Sequence, residues 1–65
     1  PDRRGGEHVK KYMLVLKRKD SAEAVFLHTL AAARIQGTDA IFRSWADGFD
    51  IYEWNGERYE LKEGY

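Results

Sequence analysis

Two histidines, several carboxylate pairs and four hydroxyl side chains are the groups in this 65-residue chain whose types suit them to chemistry. His8 and His28 lie far apart in sequence. Zinc needs three or four ligands at a recognisable spacing, and neither an HExxH run nor a cysteine is present to supply it. His28 therefore reads as a helix-surface or partly buried side chain. Asp47/Asp50 and Glu60/Glu63 are paired carboxylates. Glycosidase-type chemistry needs a cleft between two such groups, and a two-layer domain of this length has little room for one, so they read as solvated strand charges. Ser21, Thr29, Thr38 and Ser44 have no base in an activating pattern. Ser21 belongs to a helix start and Thr38 to a turn. Gly5-Gly6 fits neither GxxxxGK[ST] nor GxGxxG, so it is no phosphate loop. The chain is expected to be no enzyme and to hold no metal or cofactor.

The charges point to binding instead. The net charge is zero, yet it is segregated along the chain. Pro1 to Lys19 carries a balance of +5, Asp20 to Thr38 of −1, and Asp39 to Tyr65 of −4. The basic stretch holds Arg3, Arg4, Lys10, Lys11, Lys17, Arg18 and Lys19. A basic groove interleaved with aromatic rings is how single-stranded nucleic acid is held, and these seven residues are the candidate site for it. Against that reading stand Asp47, Asp50, Glu53, Glu57, Glu60 and Glu63, which would repel phosphate near the aromatics. No RNP1-type motif is present.

Composition bounds the rest. Sixty-five residues make one domain, with a stability margin of roughly 3–5 kcal/mol. Aromatic residues make up 14% of the chain, a supply that argues against disorder over most of its length. No apolar run approaches the roughly 20 residues of a membrane span. Pro1 to Lys11 is charged and lacks the apolar core of a signal peptide. With no cysteine, the chain fits a soluble, cytoplasmic protein. It starts at Pro1, as a trimmed or partial chain would.

These side chains must be positioned by a few elements. Pro1 to His8 reads as a loose basic arm, and residues 9–65 as one α+β domain. Val9 to Lys19 is a strand whose middle, Tyr12 to Leu16, is apolar on both faces, as in a strand covered on both sides. Asp20 is suited to N-cap a helix, with Glu23 completing a capping box. Helix formers then run from Ser21 to Gln36, and Gly37 stands at the C-cap position. Asp47-Gly48 and Asn55-Gly56 are favoured centres of type I′ hairpins. They divide Ala40 to Ala46, Phe49 to Trp54 and Glu57 to Lys62 into a three-strand meander. The expected order is β-α-β-β-β: a two-layer fold with one helix on a mainly antiparallel four-stranded sheet.

Two-residue turns would place Ala46 opposite Phe49, Trp54 opposite Glu57 and Tyr52 opposite Tyr59. Alternation then gives one face Ile41, Arg43, Trp45, Asp50, Tyr52, Trp54, Glu57, Tyr59 and Leu61. The other carries Phe42, Ser44, Ala46, Phe49, Ile51, Glu53, Arg58, Glu60 and Lys62. One helix covers only one face, so some aromatic surface stays exposed, which usually marks an interaction site. The Trp/Tyr face has the larger apolar payload, and we place the helix there. The second face has smaller residues that would let a helix approach closely. The expected partner site is then Phe42, Phe49 and Ile51, with Arg58 and Lys62 on its rim. The leading expectation is a protein-binding module, a regulator or inhibitor acting through an aromatic face or a sheet edge, with self-association as a variant. A nucleic-acid-binding domain is the alternative.

Overall fold

The computed structural model describes residues 10–65 of the chain. The expected arm at Pro1 to His8, with Arg3, Arg4 and His8, lies outside them. Five elements follow one another: β1 (Tyr12–Lys17), β2 (Ala22–Leu27), α1 (Leu30–Phe42), β3 (Gly48–Trp54) and β4 (Tyr59–Gly64). One helix lies on a four-stranded antiparallel sheet with strand order β2-β1-β3-β4. The two-layer α+β class is as the sequence implies, but the element order is β-β-α-β-β.

The difference begins at Asp20. The Arg18 amide donates to the Ser21 carbonyl at 2.8 Å, closing a hairpin over Lys19-Asp20. Ala22–Leu27 then returns along β1 as a strand. Glu23 caps no helix and reaches Arg18 instead, at 3.3 Å. The segment has helix formers, but β1 is apolar on both faces and needs a neighbour at this edge. Pairing across the sheet overrides weak local propensity. Val25 and Leu27 pack on the core as alternation requires.

The helix starts at Thr29, whose Oγ1 accepts from the Ala32 amide at 3.1 Å. Its end is also later than expected. Ser44 has φ 64°, the Ser44 amide donates to the Ile41 carbonyl at 3.0 Å and the Trp45 amide to the Ala40 carbonyl at 2.7 Å. These are the two bonds of a Schellman ending, here without glycine. Gly37 is no C-cap but a buried mid-helix residue. A Cβ there would lie 2.6 Å from the Phe49 ring. Ala33, Gly37 and Ala40 form the small-residue stripe on which the helix sits down.

That stripe meets Leu14, Leu16, Phe49 and Ile51, all buried. Ala46 completes the core, and Tyr12, Val25, Leu27 and Leu30 pack around it. The helix therefore covers the smaller face, not the Trp/Tyr face. Small residues on the helix let it close onto the larger side chains of the sheet. Buried Trp and Tyr would each need a hydrogen-bond partner for a polar tip.

Two of the three expected meander strands are present. Ala40 to Ala46 is the helix end and the loop after it. Asp47-Gly48 is no turn: the Asp47 amide donates to the Lys17 carbonyl at 2.8 Å, leading into the β1–β3 ladder. The β3–β4 hairpin is real, but Trp54 faces Tyr59 and Tyr52 faces Leu61. The Asn55 amide donates to the Arg58 carbonyl, with Gly56 at φ +105° as the first central residue. Asn55 Oδ1 accepts from the Glu57 and Arg58 amides. The expected register is off by two residues here, which leaves each side chain on its expected face.

The helix is tied to β4 by a clasp. Arg34 makes a two-pronged contact with Glu63, and the Tyr65 hydroxyl donates to Glu63 Oε1 at 2.9 Å. The Arg34 hydrogen bonds hold the Glu63 carboxyl down at about 2, against an ordinary 4.5. A depressed carboxylate contributes stability above its unfolded pKa and loses it as pH falls through the folded one. Thermal melts of the parent protein and Glu63→Gln should therefore differ most above pH 4.5, with the gap closing towards pH 2. A gap that is constant across this range would contradict the clasp.

Candidate binding face

The face of the sheet away from α1 is built by alternation from the strands just described. β1 contributes Met13 and Val15, β2 Phe26, β3 Tyr52 and Trp54, and β4 Tyr59 and Leu61. None of these is fully buried; Phe26 is 45% and Leu61 62% exposed. No element among the described residues covers this face.

Tyr59 organises it. From β4 its ring packs edge-on to Trp54 at 5.1 Å and tilts against Phe26 of β2 at 5.7 Å. Its hydroxyl donates to the Lys10 carbonyl at 2.6 Å. The ring thus reaches over the two central strands, whose Met13 and Tyr52 lie between Phe26 and Leu61 in register. The sheet must curve around this side for the two edge strands to share a contact. Aromatic pairs of this geometry contribute about 0.5–1.5 kcal/mol beyond their buried area. They hold the face in one arrangement without closing it.

Ion pairs lie around the face. Lys17 meets Asp50 at 3.2 Å. Glu53 is approached by Lys62 at 3.4 Å and Lys11 at 3.6 Å, and by the Tyr12 hydroxyl. Partial desolvation pushes the Glu53 carboxyl up, but Lys62, Lys11 and Tyr12 together outweigh it and hold the carboxyl below its ordinary value. The rim is therefore ionic, and each of these lysines meets a carboxylate.

The expected partner site does not come together. Phe49 and Ile51 are 2% and 0% exposed and form the core beneath the helix. Phe42 is 87% exposed, but at the end of α1 in the other layer. Arg58 lies in the β3–β4 turn beside Glu60 at 3.6 Å, and Lys62 is held by Glu53. Two causes act: with the helix on the smaller face, the exposed and buried faces exchange, and Phe42 belongs to the helix end and not to a strand. Of the expected nucleic-acid residues, Lys11, Lys17 and Arg18 are in ion pairs. Lys10 and Lys19 are exposed, and Arg3 and Arg4 lie outside the described residues.

Met13, Val15 and Phe26 were missed as members of the open face. The signal for Phe26 was there: the polar run Lys17 to Ser21 separates two apolar stretches, and Thr29 before Leu30-Ala31-Ala32-Ala33 is as good a cap as Asp20. Among the described residues, no group of three or more His, Cys, Asp or Glu could hold a metal, and no helix is long and apolar enough to cross a membrane. Comparison with protein-family models, with curated proteins and with solved structures finds no match to this chain.

Proposed function

We propose that this protein is a non-enzymatic binding module, a regulator or inhibitor, whose open aromatic sheet face takes the apolar side of a helix from a partner protein. The observation that carries this reading is the layer of Phe26, Tyr52, Trp54, Tyr59 and Leu61, which no element among the described residues covers. On its other side the same sheet holds one 13-residue helix. A second helix would complete a three-layer sandwich. Trp and Tyr are the residue types that dominate such interfaces.

Pairing of the rim charges supports a protein over a polyanion. Lys11 and Lys17 already meet carboxylates. The test is capture from native lysate after nuclease treatment by the parent chain, Trp54→Ser and Leu61→Lys, with a labelled single-stranded oligonucleotide as a parallel probe. The expected result is a protein that stays bound between about 50 and 200 mM salt and is lost at least tenfold in both variants. Binding of the oligonucleotide that falls steeply over that salt range, and is unaffected by Leu61→Lys, would favour the nucleic-acid reading instead.

A further inference from the structure

The two edges of the sheet are not alike. β4 carries Glu60, Lys62 and Glu63, and its pairing with β3 shifts between Ile51 and Tyr52. Charges and bulges are the usual protection of an edge against further pairing. β2 has neither. Its one charged residue is Glu23, already engaged by Arg18, and its register on β1 is unbroken from Ala22 to Leu27.

The direction of its free backbone groups follows from the ladder. Arg18 and Ser21 are a hydrogen-bonded pair. In an antiparallel ladder bonded and non-bonded pairs alternate, so Glu23, Val25 and Leu27 bond to β1. Ala22, Ala24 and Phe26 then aim their amides and carbonyls away from it. Among the described residues β2 pairs with β1 alone.

We propose that two copies of this chain join through β2, antiparallel about a two-fold axis at Ala24. The register is self-selecting. Within β2 only Ala22, Ala24 and Phe26 offer outward groups, and they are evenly spaced about Ala24. Ala24 meets Ala24 of the second copy, and Ala22 meets Phe26 in both directions. Each of the three residues donates one hydrogen bond and accepts one, so every outward group is used. On the open face the small Ala22 lies opposite the large Phe26 ring. On the helix face Glu23 lies opposite Val25, so no like charges meet, and the chain's net charge of zero adds no general repulsion. A closed two-fold pairing of this kind needs the same patch to fit itself, which this edge does. The result is one eight-stranded sheet in which the two open faces run together. This inference rests on the strand edge and not on the open-face reading.

The experiment is sedimentation equilibrium of the full chain over roughly 1 µM to 1 mM, the range in which a small interface associates. Reversible dimers are expected. Ala24→Pro removes an amide that does not bond to β1 and is tolerated on an edge strand, and it should weaken association at least tenfold. Ala24→Lys and Ala24→Glu each place like charges face to face on the axis and should be monomeric alone, while an equimolar mixture restores the dimer. Trp54→Ser and Leu61→Lys should dimerise as the parent does. A parent chain that stays monomeric throughout overturns the proposal. So does full association of the two charged variants alone, or association lost with Trp54→Ser but kept with Ala24→Lys. Loss of partner capture with the dimer intact would fail the open-face reading and leave this one standing, so the two failures are distinguishable.

Discussion

Phe49→Ala should leave no cooperative unfolding transition at 25 °C. Phe49 is 2% exposed and is among the largest fully enclosed side chains of the chain. The helix lies on it at Gly37, and the Tyr65 ring stacks on its other side at 4.4 Å and 28°. Truncating a buried Phe to Ala costs about 3–5 kcal/mol, including the cavity left behind. A domain of this size has a margin of roughly the same amount. The loss therefore spans the whole stability of the fold. Urea titration followed by circular dichroism checks it, and a shift in midpoint worth less than about 1 kcal/mol would place Phe49 outside the core. A consequence for design is that Phe49→Ala cannot serve as a binding-defective control, because it removes the fold and the face together.

Gly37→Ala is the second large effect, and its sign is the informative part. In an ordinary helix interior the change gains about 1 kcal/mol of propensity. At Gly37 the added methyl would come within 2.6–2.7 Å of three Phe49 ring carbons. A retreat of the ring would disturb its stacking on Tyr65 and its place in the closed core. Overpacking of a closed core typically costs about 1–3 kcal/mol, so a net loss is expected, rising further for Gly37→Val. Gly37→Asn separates this from the C-cap reading. Asn is a common C-cap substitute for glycine and would be well tolerated there, but beneath the helix it should be worse than Ala. Denaturant midpoints of the three variants would order them, and a stabilised Gly37→Ala would contradict the close approach.

Much of the fold class was legible because its signals are local. The apolar middle of β1 announced an interior strand covered on both faces; β1 does lie between β2 and β3, but the helix covers only its Leu14 and Leu16 face. The run around Asn55-Gly56 announced a hairpin, and alternation assigned Asp50, Tyr52, Trp54, Tyr59 and Leu61 to one face. That assignment survived a register error because the error was two residues, and side chains repeat every two. The helix was misplaced because Ala22 to Leu27 has helix formers and an apparent capping box, while its strand state comes from pairing with β1, a contact no local pattern contains. Everything after it moved in turn: Gly37 from cap to interior, Ala40 to Ala46 from strand to helix end, Asp47-Gly48 from turn to strand entry.

The choice of face failed for a different reason. Apolar payload alone favours burying Trp54, Tyr52 and Tyr59. Packing density favours the face a helix can reach closely, and Ala33, Gly37 and Ala40 can come near Phe49 and Ile51 without a void. Shape outweighed area, and the surplus of aromatic surface was left outside. That surplus remains the basis of the binding reading, now attached to different residues.

The most direct measurement of the central claim sets Phe49→Ala beside Trp54→Ser in one set of thermal melts. Phe49 and Trp54 lie on the same strand and on opposite faces. The open face predicts collapse of the first and a clearly smaller loss for the second, whose partly buried ring gives up its contact with Tyr59 and part of its buried area. Collapse of Trp54→Ser with a stable Phe49→Ala would put the helix on the aromatic face and remove the proposed binding surface.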